Sequence, residues 1–272
     1  MTAPRFYLPP ERCADAAPKL DEREAHHALH VLRVKRGEPV VVLDGAGHEF
    51  LCEIADASRA AVTLCVRQKN STPPPSCQIT LLQAVPKGKI IESIIKKSVE
   101  LGAHRIVPLL TERVVTHLDE KERMSKREKW QLVAIEAIKQ CGAVWLPEIA
   151  VPTTIPDVIS RLPEIGSKSA PGSPPSAFSP RPSAFDLSLV GSLQTERRHP
   201  RECFKEFQSN HGRLPQSAAV WIGPEGDFTP DELKMIEASG VLPVSLGRLT
   251  LRVETAAVYC LSILNYELQG EH

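Results

Sequence analysis

The chain has 272 residues, with 33 lysines and arginines balanced by 33 aspartates and glutamates and a pI near 7.1. Hydrophobic residues make up 42% and charged residues 24%, which marks an ordinary soluble globular protein as the expectation. No apolar run approaches the roughly 20 residues of a membrane span, and the neutral total counts mildly against a dedicated nucleic-acid binder, although it can conceal a basic face.

The opening "MTAPRFYLPPERC" has no apolar signal region, so the expected location is the cytoplasm. Asp21 with Glu24 can start a short helix through "EREAHHALHVLR". "EPVVVLDG" and "HEFLCEI" flank Asp44-Gly45-Ala46-Gly47, a hairpin signal, and "AAVTLCV" at 60–66 adds a third strand. Strands packed this densely predict a small β-barrel. "NSTPPPS" at 70–76 then reads as a stiff linker.

From Cys77 the pattern alternates. The spacing predicts a strand over 78–85, a helix over 88–101 ended by Gly102, a strand over 105–110 and a helix over 126–141 ended by Gly142. Such alternation implies a parallel sheet covered on both faces. Thirteen of the twenty residues at 163–182 are Pro, Ser or Gly, so this stretch is expected to be a disordered insertion. "FDLSLVGSL" resumes the sheet, and a helix is expected near "RECFKEFQ". "AAVWI" at 218–222 is a buried strand feeding "GPEG", and Thr229-Pro230-Asp231-Glu232 forms a capping-box helix start. A strand "VLPVSL" and a loop feeding a terminal helix complete the chain.

Three strands thus end in glycine-bearing loops, "LVGSL", "IGPEGDF" and "LGRLTLRVETA". Ligands of parallel α/β sheets bind at the carboxyl ends of strands. No G-x-G-x-x-G, P-loop or G-x-S-x-G motif is present, which argues against a dinucleotide, nucleotide or serine-hydrolase site. The seven dispersed cysteines form no C-x-x-C pair, so neither a disulfide scaffold nor a zinc ribbon is expected. Of His26, His27 and His30, residues 26 and 30 share a helix face, but no convincing third ligand accompanies them, and no metal is expected. Cys141 and Cys260, in helices among apolar residues, are expected to be buried filler.

"IGPEGDFTPDE" together with "LGRLTLRVETAA" resembles the signature of the ribosomal RNA small subunit methyltransferase E family, uridine-N3 methyltransferases of the SPOUT superfamily. "RFYL", "HHALHVLRVKRGEPVVVLDGAG", "KKSVELGAHRIVPLLTERV" and "AIKQCGAVWLPEI" fall at that family's other landmarks, so the resemblance covers nearly the whole chain. It implies an α/β fold with a PUA-like RNA-binding β-barrel at 1–71. A SPOUT methyltransferase domain at 77–272 would follow, with a deep trefoil knot. It also implies S-adenosyl-L-methionine as cofactor, a homodimer, and 16S ribosomal RNA or the small ribosomal subunit as substrate.

Carried onto this chain, the knot loops that hold the cofactor are Val190, Gly191, Ser192 and Leu193; Ile222, Gly223, Pro224, Glu225 and Gly226; and Leu246, Gly247, Leu249, Leu251, Arg252, Thr255 and Ala256. Arg252 is the candidate to stabilise a uracil anion or grip a phosphate. Glu254 and Glu225 are candidates to orient the base or take its proton, and for Glu254 a helix-dipole role stays open. The acid-free stretch 25–37 suggests RNA contact through Arg33, Lys35 and Arg36, with Arg5 on the barrel and Lys87, Lys89 and Arg113 near the cleft. The chain departs from the family's pattern at Ala143, Asp227, Thr250 and Val253; Asp227 stands where glycine is usual, which costs backbone freedom. Other open readings are a SPOUT enzyme acting on tRNA or ribose 2′-OH, and a non-catalytic RNA-binding protein.

Overall fold

A computed structural model describes residues 3–15, 17–58, 61–113, 118–166, 185–193 and 197–269. The chain divides into two compact units: residues 1–74 with 132–147, and residues 75–131 with 148–272. Of the expected insertion, residues 163–166 form the last turn of a helix; 167–182 lie outside the described residues.

In the first unit, β1 (Arg5–Tyr7) pairs in parallel with β2 (Pro39–Leu43), followed by β3 (His48–Ala57) and β4 (Val62–Ser71) in antiparallel order. β4 therefore runs two residues into the expected linker. The Asp44 carboxylate accepts from the backbone N–H of Ala46 at 2.8 Å and of His48 at 3.0 Å, which closes the β2–β3 turn. Two short helices, α1 (Pro10–Cys13) and α2 (Glu22–His26), come before the hairpin. Asp21 caps α2 by accepting from Glu24 N–H at 2.7 Å. A π-helical turn over His27–Leu32 continues α2 and stops at Arg33, which adopts the left-handed conformation with φ 54°. Phe6, Leu8, Val40, Val42, Ile54 and Leu64 form the core of this unit.

The second unit is built on a parallel sheet. Its elements are β5 (Gln78–Ala84), α3 (Ile90–Glu100), β6 (Arg105–Leu110), α4 (Glu120–Cys141), β7 (Glu148–Ile149), β8 (Thr153–Thr154) and α5 (Ile155–Gly166). Then come β9 (Leu187–Gly191), α6 (Pro200–His211), β10 (Ser217–Ile222), α7 (Pro230–Ala238), β11 (Leu242–Val244) and α8 (Val253–Leu268). The strand order is β11-β9-β10-β5-β6-β7, with β8 also on β6, and every pairing is parallel. Of α4, residues 120–131 belong to this unit and 132–141 to the first.

Helices on both faces bury the strands along nearly their whole length, which is why β5 and β10 read as unbroken apolar runs. One face packs Leu82, Val107, Leu109, Trp221 and Val190 against Ile155 and Val158 of α5 and Leu233 and Ile236 of α7. On the other face α8 packs on α3, β5 and β10. The fully buried Trp221 indole N–H donates to Ser188 Oγ at 3.2 Å, so its one polar atom is satisfied. Among the described residues no helix is long and apolar enough to cross a membrane.

Candidate active site

β9, β10 and β11 end side by side, with Gly191 in register with both Ile222 and Val244. The loops that follow β9 and β10, and the loop between β11 and α8, therefore leave the sheet together, and they enclose a cavity of about 420 Å³. That volume lies within the range of small-molecule sites, roughly 300–1,000 Å³. Its lining is apolar at Ile90, Ile222, Leu246, Leu251, Val253 and Ala256 and charged at Arg197, Arg252, Glu225, Asp227 and Glu254.

The "GPEGD" loop owes its shape to a tight turn, in which Asp227 N–H donates to Pro224 O at 2.9 Å. A side chain at Gly223 would bring its Cβ within 3.1 Å of the Phe228 backbone nitrogen, a tight contact that favours glycine there. The turn then feeds α7 through the expected capping box: Thr229 Oγ1 accepts from Glu232 N–H at 3.2 Å, and Glu232 Oε2 accepts from Thr229 N–H at 2.8 Å. The other oxygen of the buried Glu232 accepts from Glu112 N–H at 2.9 Å. That anchors the segment carrying Arg113, whose guanidinium donates to the carbonyl oxygens of Gly226 and Asp227.

At α8, Arg252 is the N-terminal boundary residue. Its carbonyl accepts from Ala256 N–H at 2.8 Å, while its side chain makes no capping bond and stands exposed at the cavity. Glu254 sits in the first turn of α8, where the helix dipole favours an anion, and also faces the cavity.

A cavity of this size at the carboxyl ends of parallel strands, lined by apolar and by charged side chains, has the character of a small-molecule site. A family model described as the RNA methyltransferase domain matches residues 72–265, and one described as the RNA methyltransferase PUA domain matches residues 20–64. The chain belongs to the ribosomal RNA small subunit methyltransferase E family. Its relative of that name in Synechocystis sp. is 32% identical over 98% of this chain and 78% of its own. The one in Bacillus subtilis is 27% identical over 90% and 88%. A methyltransferase of Legionella pneumophila, solved with SAM bound, is similar in structure with a TM-score of 0.79 at 27% identity, over 98% of both chains.

Most residues carried over from the family motifs meet at this cavity. Gly191, Ser192 and Leu193, Ile222 to Glu225, and Leu246, Gly247, Leu249, Leu251, Arg252 and Ala256 line it. Val190 instead lies in the core beneath the first loop, and Gly226 and Thr255 are outside the lining. Glu225 lines the cavity but also accepts from Lys87 N–H at 3.1 Å, so it holds the loop that bears Lys87 and Lys89. Arg5 donates to Lys139 O at 3.3 Å and Gln140 O at 3.1 Å, so it serves the last carbonyls of α4. Arg33, Lys35, Arg36, Lys87 and Lys89 are exposed. Cys141 is exposed at the end of α4, contrary to expectation, whereas Cys260 is buried and burial pushes its thiol up to about 12. Among the described residues there is no cluster that could hold a metal. Sequence reasoning missed Arg197 and Ile90, whose only signal lay in strand and helix boundaries that the structure supplies.

Proposed function

We propose that the chain methylates N3 of a uridine in 16S ribosomal RNA of the small subunit, using S-adenosyl-L-methionine held by the three loops. The observation that carries this is the cavity where the β9, β10 and β11 loops converge, lined by family-motif residues. Its residues fit the cofactor: the apolar lining suits an adenine ring, and Glu225, Asp227 and Glu254 suit a cationic sulfonium and ammonium. The cofactor would supply a methyl group already activated on sulfur.

The chain's own task is then to align the base and manage its charge. Uracil N3 is a poor nucleophile until its proton leaves. Glu254 is the better proton acceptor of the two candidates, because Glu225 already accepts from the Lys87 backbone. Arg252, which lines the cavity, would stabilise the negative charge that develops on the base. Lys87 and Lys89, exposed on the loop that Glu225 holds, would take RNA phosphates. In the first unit Arg33, Lys35 and Arg36 would grip backbone phosphates by shape and charge.

The wider reading places the protein in the cytoplasm, acting on assembled subunits as a homodimer, with a trefoil knot through the C-terminal loops. Support for a dimer comes from Tyr259 and Tyr266 on α8, the latter 76% exposed, and from Leu249, 79% exposed at the cavity mouth. Large side chains with apolar surface left in solvent suit a second copy.

The test is transfer of labelled methyl from S-adenosylmethionine to small subunits lacking the modification, followed by nucleoside analysis. A 3-methyluridine peak is expected. Methylation confined to tRNA or to ribose 2′-OH, or none at all, would overturn the proposal.

A further inference from the structure

Asp227 is one of two non-glycine residues among those described with positive φ, at 62°. Aspartate tolerates this conformation better than most side chains, but it still costs more than glycine would. Its carboxylate gives a reason for it. Oδ1 accepts from Phe228 N–H at 2.8 Å, while Oδ2 accepts from Leu193 N–H at 3.0 Å and from Ser192 Oγ at 3.4 Å. One carboxylate therefore stitches the β10 loop to the β9 loop just beyond Gly191–Ile222, where the ladder between the two strands ends.

A second contact acts on the same peptide unit. The Ser192 carbonyl accepts from Arg197 Nη1 at 3.3 Å. The Ser192–Leu193 peptide thus has a cation against its C=O and an anion against its N–H. Those are the two ends of its dipole, so the charges oppose any rotation that would exchange them. Arg197, Asp227, Ser192 and Leu193 all line the cavity.

We infer that Asp227 and Arg197 are positioning residues that lock the orientation of the Ser192–Leu193 peptide and thereby set how tightly the cavity holds its cofactor. The inference rests on the cofactor reading proposed above. It also explains why a side chain is kept at a position with a left-handed backbone: glycine would relax the turn but leave the two loops untied.

Three variants test it: Asp227→Asn, Asp227→Gly and Arg197→Gln. Asparagine tolerates the backbone, but it cannot accept from both N–H groups as a carboxylate does; glycine removes the tether while easing the backbone, so it also guards against failure to fold. Titration with S-adenosylmethionine should show a Kd raised about tenfold by either Asp227 change, the scale of one lost charge-assisted hydrogen bond. The Asp227→Gly, Arg197→Gln double variant should rise no more than about twofold beyond the weaker-binding single, because both act on one peptide. KM for the cofactor should rise by a larger factor than kcat falls. In the protein without cofactor, amide exchange at Leu193 should accelerate in Asp227→Gly, while that at Trp221 in the sheet stays slow.

An unchanged Kd in Asp227→Gly, or unchanged exchange at Leu193, would overturn the inference. Strictly additive losses in the double variant would overturn the shared-peptide argument. If the unaltered chain binds no S-adenosylmethionine, the cofactor reading falls, and Leu193 exchange still decides whether the tether exists.

Discussion

The two units put their charged groups to different uses. In the first, polar groups close on one another: Lys139 Nζ lies 2.7 Å from Glu24 Oε1 and 3.0 Å from Glu136 Oε1, and Arg23 lies 2.7 Å from Glu136. Glu24 and Lys139 are both buried, so this pair ties α2 to the last turns of α4. In the second unit, the polar groups that leave the sheet are held in place by other parts of the same site, yet they face a cavity. Closure makes a framework, and openness makes a site. The two left-handed non-glycine residues among those described also differ: Arg33 ends a helical turn and is exposed, whereas Asp227 uses its side chain to join two cavity loops.

The comparison breaks first at the closed pair. Lys139→Met leaves Glu24 buried without its cation and should cost about 3–5 kcal/mol of stability in denaturant unfolding. Adding Glu24→Gln or Glu24→Leu should recover much of that loss. A loss below about 1 kcal/mol would mean that the pair is solvated and the closed framework is an illusion.

At the open end, Arg252→Ala should lower kcat for methyl transfer by about 10²–10³, the usual scale for removing one charge-stabilising donor. Unfolding stability should barely move, because the side chain is exposed and makes no cap bond. A large fall in stability with little loss of kcat would reverse the assignment.

Thr229→Ala removes the cap of α7 and should cost about 1 kcal/mol. Because Glu232 also holds Glu112, methyl transfer should weaken alongside the melting temperature. Activity that stays fixed as the melting temperature drops would separate the cap from the site.

The smallest effect is a slope. Burial holds the Glu24 carboxyl above its ordinary value of 4.5, against the pull of Lys139. A raised carboxyl favours the folded state while protonated, so its contribution is complete below about pH 4.5 and is lost as pH rises through the folded value. Subtracting the stability curve of Glu24→Gln from that of the unaltered chain should leave a difference that declines with rising pH in this window. A difference that grows would mean that Lys139 outweighs burial.

The sequence showed most clearly those parts whose chemistry is local. Thr229-Pro230-Asp231-Glu232 carries its own cap, and the β2–β3 turn carries its own aspartate, so both were readable in a few residues. The three loops were readable because glycines follow apolar strands, and the family motifs gave them a common purpose. Other parts depended on distant partners. The first six residues of α4 are charged or polar but for Met124, so they show no apolar stripe. α5 contains Pro156 and Pro163 and runs into the Pro/Ser stretch, which hid a helix. β1, β7 and β8 are two or three residues long and exist only through pairing with neighbours. Asp227 stood out as a departure, but its role depends on Leu193 N–H, 34 residues away in the chain. Arg5 read as a basic residue available to RNA because its partners, the carbonyls ending α4, lie more than 130 residues further on.

The most direct measurement is a crystal structure of the chain with S-adenosylmethionine. The expected result places the adenosine among Gly191–Leu193, Ile222–Asp227 and Leu246–Ala256, with the methyl carbon turned toward the side of the cavity bearing Arg252 and Glu254. The cofactor bound elsewhere, or its methyl group pointing away from Arg252, would contradict the assignment of this cavity as the site of methyl transfer.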